Sequence, residues 1–229
     1  MPTLPGLSVT ATMFLGMDRF VGQSEDGTVV PRSARRVQPW LCAEALLGGA
    51  LWALWTDGVA ELRRRGPLPG KPRAFTEIRP LRGAAYPQAS LERLLLASLA
   101  DHPEPAADAL ARTLAFTRAQ PWCDVVDVVC HELLVAGYPI DGPPRTNGSH
   151  PSANAVVDEL SARWDGWWAR HEGMLVVVAR ACHDALVARR LGFARQIVEG
   201  LSLSARPPDP AEATAGRARP RCPRWPRHL

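Results

Sequence analysis

The chain is 229 residues long, 46% hydrophobic, and carries a formal net charge of +4 at pH 7. That length and apolar content can bury one substantial core with a small appendage. Six arginines from Arg206 onward, set against Asp209 and Glu212, hold the whole charge excess, so the basic balance belongs to the tail and the body is neutral.

Cys42, Cys123, Cys130, Cys182 and Cys222 form no Cys-x-x-Cys pair. An odd, dispersed set argues against a secreted disulfide framework and for reduced thiols in a cytosol. No run reaches 18 apolar residues, and no basic group precedes the apolar part of the N-terminus. Neither a membrane span nor a signal peptide is expected.

In chain order, residues 9–21 read as a short strand or helix, followed by the turn SEDG and a strand-like TVV at 28–30. Arg32, Arg35 and Arg36 lie ahead of Pro39 and Trp40, where the first long helix begins. Its body is the most informative stretch, residues 43–62, AEALLGGALWALWTDGVAEL. Leu41, Ala45, Gly48, Trp52 and Trp55 recur at helical spacing, and Leu47, Leu51 and Leu54 cover the adjoining face. A helix apolar nearly all round belongs in the middle of a domain. Gly48 and Gly49 each lose about 1 kcal/mol of helix propensity, which predicts close approach of another backbone.

The helix is expected to end at Asp57-Gly58. Val59–Arg63 and Arg73–Arg79 then read as two strands of a small hairpin. Leu91, Leu94, Leu95, Ser98 and Leu99 form one amphipathic stripe, and Ala107, Leu110, Ala111 and Leu114 another. Pro105 and Pro121 suit first-turn positions. Residues 122–136 read as an apolar helix closed by Gly137. Residues 138–151 read as an exposed loop or irregular hairpin. Residues 153–171 and 174–203 hold two or three further helices, with a break expected at Gly192. The tail from Arg206 has six prolines and no apolar period, and is expected to be disordered.

Chemistry is sparse. Cys130-His131 and Cys182-His183 echo each other within similar apolar runs, but adjacent helical residues point about 100° apart and chelate no metal alone. There is no Gly-x-Ser-x-Gly elbow, Walker loop, HExxH or paired-carboxylate motif. A helix followed by a hairpin has the order of a winged helix, yet the helix offers only Glu44 and Gln38 to base edges. Trp164, Trp167 and Trp168 beside Arg163, Arg170 and His171 fit either a headgroup interface or a core. Arg32, Arg35, Arg36 and Trp40 fit either a phosphate site at a helix start or an ordinary solvated loop.

The order of these pieces resembles the Golgi phosphoprotein 3 (GPP34) family in its bacterial form. The likeness rests on EDGTVV (25–30), LLGGALWALWTDGVAEL, the variable hairpin, SLERLLLASLADHP and LLVAGYPI (133–140), and spans roughly residues 9–200. It implies a non-enzymatic, mainly helical domain that binds phosphatidylinositol 4-phosphate at a membrane surface. The family pocket uses a Trp and an Arg from the first long helix and an Arg pair from the later one. Alignment on Gly58 puts Leu47 at the Arg position and Gln38 at the Trp position, with Trp40 two residues away. Alignment on Gly137 puts Cys123 and Val126 at the Arg pair, flanked by Asp124 and Asp127. The cationic chemistry is thus missing at the matching positions, and Trp40 with Arg35 and Arg36 is the available substitute.

The expectation is therefore a mainly α protein: a single helical domain over residues 1–205 with a few short strands and a β-hairpin near its N-terminal part, then the Arg/Pro-rich tail, 206–229. It would be a non-enzymatic cytoplasmic domain, peripheral at the inner face of the membrane, holding anionic lipid through Arg32, Arg35, Arg36 and Trp40, with no cofactor and no metal. The alternatives are a cytosolic protein-interaction or regulatory domain that has lost lipid binding, and a winged-helix-like DNA-binding regulator.

Overall fold

The apolar stretch at 43–55 becomes the middle of a helical body in the computed structural model, which describes residues 1–21, 39–66, 73–117, 119–138, 151–171 and 174–204. Among these lie α1 (Val9–Leu15), α2 (Pro39–Thr56), β1 (Ala60–Arg65), β2 (Phe75–Pro80), α3 (Leu91–Ser98), β3 (Glu104–Pro105), α4 (Ala106–Thr113), α5 (Pro121–Val135), α6 (Pro151–Arg170) and α7 (Met174–Ser204). The protein is mainly α with one small antiparallel sheet in order β1-β2-β3. Met1–Phe193 form one compact unit; a second starts at Ala194, and its described part, 194–204, is helical.

α2 packs against α1, α3 and α5. Leu46, Leu47, Leu51 and Leu54 are fully buried and Trp52 is 2% exposed, so this helix is dry along most of its length. The glycine pair works differently from the expected backbone approach, because side chains fill the space. A Cβ on Gly49 would meet Met13 Sδ of α1 at 2.5 Å, and one on Gly48 would meet Trp164 of α6 at 3.5 Å. Gly16, which no periodicity marked, is also required: a Cβ there would overlap Val157 Cγ1 of α6.

Two helix ends follow one rule. At Gly58 (φ +65°) the Val59 N–H donates to Leu54 O (2.8 Å) and the Gly58 N–H to Trp55 O (2.9 Å). At Gly137 (φ +80°) Tyr138 N–H donates to Leu133 O (2.8 Å) and Gly137 N–H to Leu134 O (3.0 Å). These paired bonds satisfy carbonyls that a helix end leaves open, and they need a left-handed residue that glycine adopts at least cost.

The hairpin forms in register, Ala60 opposite Pro80 and Leu62 opposite Ile78. A third strand was not legible. Glu104 and Pro105 pair with Ile78 and Glu77, so Pro105 sits in a strand and caps α4 instead of entering its first turn. Glu104 is held there by the Ala100 N–H (2.9 Å) and the Arg112 guanidinium. Pro121 does open α5, as expected. Residues 9–21, open between strand and helix, are α1 and a 3-10 turn at Met17–Arg19. α7 runs through Gly192 without the expected break. The segments at 24–30 and 139–150 and the tail from Arg206 lie outside the described residues.

The N-terminal segment is clasped by two buried carboxyls. The Ser8 N–H donates to Glu132 Oε1 (2.7 Å) and Ser8 Oγ lies 2.9 Å from Glu132 Oε2. The Thr10 N–H donates to Glu92 Oε1 (2.8 Å) and Thr10 Oγ1 lies 2.8 Å from Glu92 Oε2. Most buried polar groups are satisfied by such bonds.

Candidate functional site

Of the four predicted site residues, Arg32, Arg35 and Arg36 lie outside the described residues. Trp40 is described, half-buried in the first turn of α2. Its ring centroid is 5.2 Å from that of Trp122, which follows Pro121 at the start of α5, and 5.0 Å from the His183 ring of α7. The Arg190 guanidinium carbon stands 5.3 Å above the Trp122 ring. On α7, His183 and Arg190 are seven residues apart, two helical turns, which brings both to one flank. His183 Nδ1 lies 2.9 Å from Glu44 Oε1, one turn into α2 from Trp40.

The site is thus the meeting of two helix starts with the basic flank of a third helix. Helix starts present backbone N–H groups without intrahelical partners and a positive partial charge. The tryptophans supply flat apolar rings, and the exposed Arg190 supplies a charge that the ring face holds in place. Glu44 brings negative charge into the same region, which limits its attraction for anions. Neither Trp122 nor Arg190 was singled out from sequence; no local pattern could have done so, since 68 residues separate them.

The positions at which the resemblance would place arginines have another character. Leu47 is fully buried. Asp124 and Asp127, which flank the Cys123 and Val126 positions, line with Ala89, Leu94, Phe116, Val128 and His131 a cavity of about 390 Å³. Partial burial, and then the neighbouring Asp124 carboxylate, push the Asp127 carboxyl above its ordinary value. An acidic cavity opposes a phosphate.

The tryptophans of α6, open between headgroup anchor and core, are core. Trp164, Trp167 and Trp168 are buried, and Trp52 meets Trp164 edge-on at 5.1 Å. Cys42 and Cys182 are buried small groups; burial pushes the Cys42 thiol up to about 12 and raises the Cys182 thiol as well. Such thiols are poor nucleophiles. Cys130 and His131 do not join Cys182 and His183 in a metal-ligand cluster, and no such cluster of three or more groups occurs among the described residues. α2, buried as it is, presents no basic face to a DNA groove. No described helix is long and apolar enough to cross a membrane.

No protein-family model, curated protein or solved structure matches the chain.

Proposed function

We propose that the chain is a peripheral membrane domain that holds anionic lipid headgroups, phosphoinositide-like ones included, on the face where Trp40, Trp122 and Arg190 meet. The observation that carries this reading is the half-buried tryptophan pair beneath an exposed guanidinium. Aromatic rings with a flanking cation suit the headgroup layer, where the ring is shielded and the charge stays wet. Arg32, Arg35 and Arg36 precede Trp40 in sequence and would add charge-assisted bonds to phosphate oxygens. Near an anionic surface each arginine contributes about 1 kcal/mol, so a handful gives reversible binding. No group in the face is arranged for covalent chemistry, and the reading is non-enzymatic.

Vesicle co-sedimentation tests it. Binding should rise with the fraction of phosphatidylserine or phosphatidylinositol 4-phosphate and fall as salt screens the surface. No pelleting at low salt on vesicles rich in either lipid would rule it out.

A protein-interaction reading has one observation in its favour. Leu134 and Val135, at 60% and 70% exposure, form an apolar pair on the last turn of α5. If partner capture persists in Arg190→Glu and disappears in Leu134→Ser/Val135→Ser, that reading replaces the first.

A further inference from the structure

Four oxygens run in one buried line: Glu132 Oε2 to Ser8 Oγ at 2.9 Å, Ser8 Oγ to Thr10 Oγ1 at 3.1 Å, and Thr10 Oγ1 to Glu92 Oε2 at 2.8 Å. Each of the three links needs one proton between its oxygens. The two hydroxyls supply two. With both carboxyls ionised the line is one proton short, and two acceptors would face each other out of reach of water. We propose that the folded chain keeps one proton on this line, shared between Glu92 and Glu132, and that this proton fastens the N-terminal segment to α3 and α5.

The proton can sit at either end. On Glu132 it points to Ser8 Oγ, Ser8 donates to Thr10, and Thr10 donates to the Glu92 carboxylate. Turning both hydroxyls reverses the line and moves the acidic proton to Glu92. In both arrangements Ser8 Oγ still accepts the Ala11 N–H, 3.2 Å away. The two carboxyls therefore titrate as a pair, not as separate groups.

The surroundings favour a retained proton. Glu92 is fully buried and Glu132 is 2% exposed. Burial pushes Glu132 up to about 7 and Glu92 in the same direction, against the lowering effect of the Ser8 and Thr10 bonds. Among the described residues, no cation offsets the burial of either carboxyl. Tyr86, ahead of α3, feels the Glu92 charge. His131, on α5, shares with Glu132 the wall of a cavity of about 660 Å³ that Pro5, Gly6 and Pro87 also line. Tyr138 donates to the Pro5 carbonyl at 3.4 Å.

Loss of the proton would leave two carboxylates repelling each other across Ser8 and Thr10, and would loosen residues 1–21. Met13 would then leave its place against Gly49 of α2. The sign follows from the raised folded values. The stability tied to this proton is fully present below about 4.5, the ordinary glutamate value, and is lost as pH rises through about 7. The folding equilibrium constant should fall by up to about tenfold per pH unit within that window.

The test is urea unfolding of the full chain from pH 5 to 9, with Glu92→Gln, Glu132→Gln and the double variant. Each single change replaces a carboxyl by a permanent donor, so each should fold and lose the slope above pH 5. The double change puts a donor at both ends, leaving one proton too many, and should be less stable at pH 7 than either single variant. Amide exchange at Ala11–Met13 should accelerate between pH 6 and 8 in the wild-type chain beyond the ordinary base-catalysed rise, and not in Glu132→Gln. Carboxyl 13C NMR of the wild-type chain reads the proton directly should any variant fail to fold. Two glutamates both titrating near 4.5, a pH-independent midpoint in the wild type, or a double variant as stable as the singles would overturn the proposal.

Discussion

Leu47→Arg tests the burial of α2 at a single position. The expected GPP34 likeness would set a headgroup-binding arginine at this position, so the substitution would complete a pocket if the position faced a ligand. The structure buries Leu47 completely within α2. Removing the leucine forfeits about 1.5–3 kcal/mol of burial. An unpaired guanidinium held in a dry core costs about 3–5 kcal/mol more, the penalty seen when a buried pair loses one partner. The buried acids among the described residues, Glu92, Glu104 and Glu132, are already committed to partners of their own. The sum, about 5–8 kcal/mol, approaches the whole stability of an ordinary domain, about 5–15 kcal/mol. Leu47→Arg should therefore be unfolded or nearly so, while Leu47→Met should lose less than about 1.5 kcal/mol. Urea unfolding followed by far-UV circular dichroism reads both. A Leu47→Arg chain within about 1 kcal/mol of wild type would show that water or a ligand reaches this side of α2, and the burial argument would fail.

Other outcomes follow from particular contacts. Gly16→Ala should cost about 1–3 kcal/mol, since its Cβ overlaps Val157 Cγ1; thermal unfolding checks it. Thr76 Oγ1 is buried without a hydrogen-bond partner, so Thr76→Val should stabilise the chain by about 1 kcal/mol, read as a raised urea midpoint; a loss would mean the hydroxyl has an unseen partner. Cys42 and Cys182 should resist iodoacetamide at pH 8 until the chain is unfolded, as mass spectrometry of labelled peptides would show.

What the sequence disclosed, it disclosed through local pattern. α2 was legible because Leu46–Leu54 leave no polar face, and Gly58 and Gly137 because a left-handed helix end favours glycine. The hairpin was legible from two runs divided by Gly and Pro. What stayed hidden depends on distant partners. Glu92 stands in the first turn of a helix after Ser90, where an acidic residue is ordinarily a solvated cap; only Ser8 and Thr10, more than 80 residues earlier, make it a buried one. Pro105 has the look of a helix start, and the pairing of β3 with β2 places it in a strand. Gly192 carries a propensity cost of about 1 kcal/mol, too little to break a helix as long as α7. Of the aromatic face between α2, α5 and α7, only Trp40 was legible. Its partners Trp122 and Arg190 come from helices whose approach to α2 no periodicity encodes.

Pelleting with anionic vesicles at low and high salt, comparing the wild-type chain with Trp40→Ala and Arg190→Glu, tests the functional account most directly. Variants that still unfold cooperatively, with Trp40→Ala less stable than the wild type because it gives up its packing on Trp122 and His183, and weakened, salt-sensitive binding in pelleting are the predicted pair of results. Wild-type levels of vesicle binding in both variants, or equal binding to uncharged phosphatidylcholine vesicles, would contradict it.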